Sequence, residues 1–174
     1  MLIDALKYLR DQKKDIEMMS RNVNYLLMMS KVFLEEDMQE SNNWRFKENQ
    51  EAKQALIEAR YLQTEVIDKC RELGQSIDRE RVLAAEISFK LGKYFEEREG
   101  NYADAVTAYN DCLKRKEDHA NAMLSLARIQ QQNGSNDQCA QYCQRLLKID
   151  PSNEQATSML ANLKLMQESP EGAM

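Results

Sequence analysis

The chain of 174 residues has little of what bends or breaks a backbone: five glycines and two prolines. Because these residues supply most tight reversals, their scarcity leaves little room for the turns of a β-rich fold. Histidine and tryptophan occur once each. A lone histidine, His119, excludes a site built from several imidazoles, and no serine or cysteine nucleophile can be assigned to it. No glycine-rich phosphate loop is present. No apolar run approaches the roughly 18 residues of a membrane span, and residues 1–10 are too polar for a signal peptide. An excess of basic charge is missing too. The net charge of −5 is spread through mixed-sign runs such as Lys114-Arg115-Lys116-Glu117-Asp118, which excludes a basic stripe for nucleic acid. These absences lead to the expectation of a soluble, intracellular, helical protein with no nucleic-acid partner, no membrane insertion and no cofactor.

What is present is a recurrence. Leu91-Gly92, Leu126-Ala127 and Leu160-Ala161 each place a small residue behind a leucine, 35 and then 34 residues apart. A second set keeps a step of 34: Gly100 with Gly134, Ala105 with Cys139, Tyr109 with Cys143, Cys112 with Leu146, and Glu117 with Pro151. The period is that of the tetratricopeptide repeat, a pair of antiparallel helices. Two helices approach closely only where a side chain is small, the role expected of Gly92, Ala105, Ala127, Cys139 and Ala161. Phe95, Tyr109, Leu113, Leu126, Leu147 and Leu160 recur around them at helical spacing and read as core. Gly100-Asn101 and Gly134-Ser135 supply a left-handed helix stop followed by a cap. Ser135 with Gln138, and Ser152 with Gln155, fit the capping box, and Pro151 marks the end of a helix. The extra residue of the longer step lies in Glu96-Glu97-Arg98-Glu99, a charged helix end expected to lengthen without disturbing packing. The last repeat stops after its first helix, as though cut from a longer array.

The first 80 residues are less regular but equally helical in pattern. Leu2, Ala5, Leu9, Ile16, Met19, Val23, Leu26 and Phe33 fall on steps of three and four, broken by Gln12 and Ser30. One long helix or two with a bend near Lys13 to Glu17 both accommodate this seam, and the bend suits a repeat array better. Glu40-Ser41-Asn42-Asn43-Trp44 has the composition of a linker, in which Trp44 either plugs a helix pair or anchors a partner. Ala52, Ala55, Ala59, Leu62, Val66 and Leu73 form a second seam of about seven turns ending at Gly74.

The expected fold is therefore all-α: a tetratricopeptide-repeat-like α-solenoid of about eight antiparallel helices with a long helix in the N-terminal half. Its expected divisions are an irregular helical hairpin region at 1–80, repeats at 81–118 and 119–152, and at 153–174 the first helix of a truncated repeat with a disordered tail.

Residues with chemical potential are few. Cys139 and Cys143 lie four apart, half of a metal site at most, and they read better as small packing residues, like Cys112. Helix geometry makes them poor disulfide partners for each other. His119 reads as a surface residue in the first turn after Asp118, and the carboxylate pairs Glu35-Glu36 and Glu96-Glu97 as solvated faces. The ten methionines read as gap-fillers. Neither a catalytic residue nor a metal site is expected.

A binding role directs attention to the first helices of successive repeats, which line the concave side of a stack. The candidates there are Glu86, Phe89 and Lys93, then Asn121, Leu124 and Arg128, then Gln155, Ser158 and Asn162. Co-chaperones of this repeat class hold a C-terminal carboxylate with a clamp of lysines, asparagines and an arginine. Here the corresponding places hold Phe89, Lys93, Ser125, Gln155 and Met159, of which only Lys93 fits.

The wording of the repeats carries a closer likeness. Leu83-Ala84-Ala85-Glu86-Ile87, Gly100-Asn101-Tyr102-Ala103-Asp104-Ala105, Leu126-Ala127-Arg128-Ile129 and Cys139-Ala140-Gln141-Tyr142-Cys143-Gln144-Arg145-Leu146-Leu147 are followed by Asp150, Asn153-Glu154 and Met159-Leu160-Ala161. Together they resemble the tetratricopeptide repeat protein 21 family, the large repeat subunit of intraflagellar transport complex A. The likeness runs over roughly Ala52 to Met166, and Met1 to Gln50 adds little. It implies a non-enzymatic scaffold that joins other complex A subunits in retrograde ciliary transport and cilium assembly, in the cytoplasm, the cilium and the ciliary base. Self-association through exposed repeat ends is a further expectation. The alternative is a peptide-binding adaptor unrelated to cilia, which would need a closed array and a groove of one dominant chemistry.

Overall fold

A computed structural model describes residues 1–39 and 50–169. Among these residues seven α-helices follow one another: α1 (Leu2–Gln39), α2 (Glu51–Glu72), α3 (Asp78–Tyr94), α4 (Tyr102–Arg115), α5 (Ala120–Gln132), α6 (Asn136–Ile149) and α7 (Glu154–Glu168). A π-helical turn, Phe95–Glu99, extends α3. No strand occurs among the described residues. Each helix packs chiefly against its neighbours in the chain, so the core runs along the stack in three linked clusters instead of gathering at one centre.

Among the described residues the count is seven and not about eight, and α1 is continuous, without a bend near Lys13 to Glu17. No glycine or proline occurs in residues 1–39, so nothing forces a break. Positions 12, 16, 19, 23, 26, 30 and 33 all face inward, an unbroken alternation of four and three. Gln12 and Ser30 belong to this seam and do not interrupt it. The Ser30 hydroxyl donates to the Leu27 carbonyl at 2.8 Å, and Gln12 accepts from the Lys69 ammonium at 3.4 Å. Both polar side chains are thereby satisfied where they meet α2. At 1.5 Å per residue α1 is about 57 Å long and α2 about 33 Å. Leu2, Ile3, Leu6 and Leu9 therefore continue the seam beyond the reach of α2 and stand exposed. The linker with Trp44, and residues 170–174 of the tail, lie outside the described residues.

The helices stop where expected. Gly74, Gly100 and Gly134 take φ of 68°, 60° and 75°, left-handed values that cost glycine little. The caps agree with expectation at Asn101 and differ at Ser135 and Ser152. Asn101 caps α4 by accepting from the Asp104 amide, and Asn153 caps α7 by accepting from the Ala156 amide. Ser135 stands at the cap of α6 but its side chain makes no capping bond. Ser152 precedes the true cap, and its amide and hydroxyl donate to Asp150. The Ser152 and then the Asn153 side-chain bonds hold that carboxyl below its usual range.

Of the small residues, Gly92, Ala105, Ala127 and Cys139 are buried at helix crossings, but Ala161 is exposed. No following helix packs on its side of α7 among the described residues. At Gly92 the need is space: a Cβ there would lie 2.5 Å from the Tyr109 ring. Tyr109 is itself fully buried, so α3 and α4 cross where one residue is absent in volume and the other fills the gap.

The π turn absorbs the extra residue of the longer repeat step. Far from leaving packing unaffected, it works as a junction. Glu99 pairs with Lys53 of α2 at 2.7 Å, Arg98 donates to the Leu34 carbonyl of α1 at 3.4 Å, and Glu96 reaches α4 and α5. One inserted residue turns successive side chains toward different helices.

Candidate functional site

The nine expected binding positions divide into two kinds. Glu86, Phe89, Arg128 and Leu124 are engaged in packing between helices, whereas Lys93, Asn121, Gln155, Ser158 and Asn162 are exposed.

The first group centres on His119, which is 6% exposed and not a surface residue. It is the cap of α5: its Nδ1 accepts from the Ala122 amide at 3.1 Å. An accepting Nδ1 leaves the proton on Nε2, which donates to Glu86 of α3 at 2.7 Å. Phe89 lies against the imidazole with ring centroids 4.9 Å apart. The period held the signal for this role. His119 and Asn153 are 34 apart, as are the alanines whose amides they cap.

A second polar knot lies at the π turn. One Glu96 oxygen accepts from the Tyr109 hydroxyl at 2.6 Å, and the other accepts from Arg128 at 3.2 and 2.8 Å. The Glu96 side chain is 10% exposed, so the bidentate arginine compensates a carboxylate largely removed from water. Burial and then the Glu96 bond push the Tyr109 phenol well above its usual range, opposed by a bond to Ser125. Glu86, Phe89 and Arg128 therefore join repeat to repeat.

A groove about 260 Å³ in volume opens between α1 and α3. Its floor is Leu56 of α2, with Ser30 and Tyr94, and all three are buried. Leu34 forms an apolar wall, and Lys31, Lys90, Lys93, Glu97 and Arg98 form the rim. Of the expected positions, only Lys93 belongs to it. Sequence reasoning missed the rest because they come from α1, α2, the π turn and neighbouring positions of α3, and only the packing of those elements makes them neighbours.

All four cysteines are buried and unpaired. Burial, and then the nearby Glu86 carboxylate, push Cys112 up to about 12; burial, and then Cys139, push Cys143 up to about 12. Such thiols are protonated at neutral pH and unfit as nucleophiles or metal ligands. No group of three or more His, Cys, Asp or Glu side chains is placed to hold a metal among the described residues. Among those residues no helix is long and apolar enough to cross a membrane.

Comparison with known proteins agrees with this architecture. A tetratricopeptide repeat model matches residues 98–174, and the model of the fourth ARM domain of tetratricopeptide repeat protein 21 matches residues 1–113. The chain is similar to tetratricopeptide repeat protein 21A of Mus musculus, 28% identical over 92% of this chain and 11% of that protein. It is likewise 28% identical to the Homo sapiens tetratricopeptide repeat protein 21A, over 94% of this chain and 12% of that protein. The chain thus spans about one-ninth of the length of these curated relatives. The N-terminal helices, in which the repeat wording is weak, fall within the family match. With more than half of its residues matched by that family's own domain model, the chain belongs to the tetratricopeptide repeat protein 21 family.

Proposed function

We propose that the chain is a non-catalytic segment of a protein-interaction scaffold, part of a subunit of intraflagellar transport complex A. In this reading it serves retrograde ciliary transport and cilium assembly, in the cytoplasm, the cilium and the ciliary base. The observation that carries the proposal is the family match over residues 1–113. Support comes from the way side chains with chemical potential are used. His119, Glu96, Tyr109 and the cysteines all serve packing between helices. The proposed divisions are a helical hairpin at 1–80, repeats at 81–118 and 119–152, and a further first helix from 153.

Partners are expected on the side of α1, α3, α5 and α7, where Lys93, Asn121, Gln155, Ser158 and Asn162 are exposed. The test is affinity capture with the immobilised chain from extracts of ciliated cells. Complex A subunits are expected to be retained. Capture of none of them by a chain shown to be folded by circular dichroism would refute the ciliary reading.

A further inference from the structure

A second groove, about 390 Å³ in volume, opens between α4 and α6 over the end of α5. Amide side chains reach it from all three helices: Asn110 from α4, Gln130 from α5, and Gln138 and Gln141 from α6. None of these four makes a side-chain hydrogen bond among the described residues. We propose that this groove binds an extended, uncharged protein segment by its backbone. The proposal rests on the reading of the chain as a protein-interaction scaffold, and it names a further surface and the form of the partner that the surface takes.

An amide side chain carries a carbonyl acceptor and an NH2 donor side by side. An extended backbone is the complement, with N–H and C=O groups directed to either side along its length. Asn110 and Gln130 stand on different helices from Gln138 and Gln141, so a peptide lying between them is bonded along both edges. Asn110 and Gln130 are half-buried, and part of their freedom is lost before a partner arrives. Arg145 adds N–H donors for peptide carbonyls. Its guanidinium lies 5.9 Å from the centroid of the Tyr142 ring, a cation–π contact that holds it at the wall. The length agrees as well. From Gln138 to Arg145 is about 10 Å along α6, the span of about three extended residues.

Chemistry narrows the class of ligand. Small-molecule sites are lined mostly by apolar and aromatic groups, whereas here Val106 and the Tyr142 ring are the apolar lining and amides make up most of the rest. That strip suits one aliphatic side chain of a peptide. A nucleic-acid strand needs several cations for its phosphates, and among the described residues Arg145 alone brings positive charge to the lining. A docked helix satisfies its backbone internally, which would leave the amides without work. A sugar chain presents hydroxyls that amides also bond, so the test must separate it from a peptide.

The test is fluorescence anisotropy with the whole chain and a short labelled peptide of alternating threonine and valine, blocked at both ends, whose β-branched residues favour the extended form. Binding is expected, and it should change by less than about twofold as salt is added, since no ion pair forms. Gln130→Ala combined with Gln141→Ala should weaken it by about tenfold or more, from hydrogen bonds lost along both edges. Lys14→Gln, exposed on α1, should leave it unchanged, and thermal melts should show all variants folded. The same peptide N-methylated at alternate residues keeps its side chains, loses backbone donors and should not bind. Absence of binding, or equal binding by the double variant or of the N-methylated peptide, would overturn the proposal. So would a glucan oligosaccharide that displaces the labelled peptide as well as unlabelled peptide does. Retention of complex A subunits in the capture experiment is read separately, so peptide binding without capture sinks the ciliary reading alone, and capture without peptide binding sinks the groove alone.

Discussion

Replacing Gly92 with alanine is the sharpest test of the crossing between α3 and α4. In an exposed helix this change stabilises by about 1 kcal/mol, because alanine is the better helix former. Gly92 is in the body of α3 with an ordinary helical backbone, so that gain is available here. Against it stands the Tyr109 ring, with atoms 2.5, 2.6 and 3.0 Å from the new Cβ. Overpacking of this kind costs about 1–3 kcal/mol. The ring has no free direction to retreat, since it is fully buried, lies against Phe89 and is held at its hydroxyl by Glu96. Displacing it also weakens a hydrogen bond to a charged group, worth about 1.5–3 kcal/mol. Net destabilisation of about 2–4 kcal/mol is expected from these opposing contributions. For a chain of this size that is a fall in Tm on the order of 5–15 °C. Urea and thermal melts followed by circular dichroism measure it. The same change in a Tyr109→Leu background should become neutral or stabilising, because the ring atoms that clash are gone. A Gly92→Ala variant that melts above the parent would refute the reasoning.

Other perturbations separate the two polar knots and the thiols. Glu96→Ala removes the acceptor shared by Tyr109 and Arg128 and should cost about 2–3 kcal/mol in chemical denaturation, and Arg128→Ala, which leaves the Glu96 carboxylate, 10% exposed, without its cation, should cost at least about 2 kcal/mol. His119→Ala should destabilise by about 1–2 kcal/mol through loss of the α5 cap and the Glu86 bond, and His119→Asn should recover part of it by capping as Asn153 does; equal melts for all three would refute the capping role. Alkylation at neutral pH should leave all four cysteines unmodified in the folded chain and modify all four in urea, read by mass spectrometry. Because burial raises the Cys112 and Cys143 pKa from 9.0 to about 12, their contribution to stability is complete below about pH 9 and lost as pH rises toward 12, so stability against urea should fall across that alkaline window.

The helical class and the repeat period were legible because they depend on spacing along the chain. Leucine followed by a small residue at 91 and 126 marks a close helix crossing, and glycine at 100 and 134 marks a helix stop. Ala161 follows the same rule in the sequence and is nevertheless exposed, because burial needs a neighbour that the pattern cannot supply. The site was less legible. Glu86, Phe89 and Arg128, expected to face a partner, each also make a contact between helices that their spacing does not reveal. Gln12 and Ser30 looked like interruptions since hydrophobicity was the only criterion; their hydrogen bonds let them lie on the seam.

Sequence alone determined the all-helical class, the 34-residue period and the family likeness, since each is written in residue type and separation. The tertiary structure decided the rest: that α1 runs unbroken, that one inserted residue becomes a π turn tying four helices together, that the lone histidine is a buried cap, and that amides from α4, α5 and α6 meet over one groove. The physical reason is common to all four. Periodicity assigns a side chain to a face of its own helix, but the partner it meets depends on how two helices cross, and that is settled by packing among residues far apart in the chain.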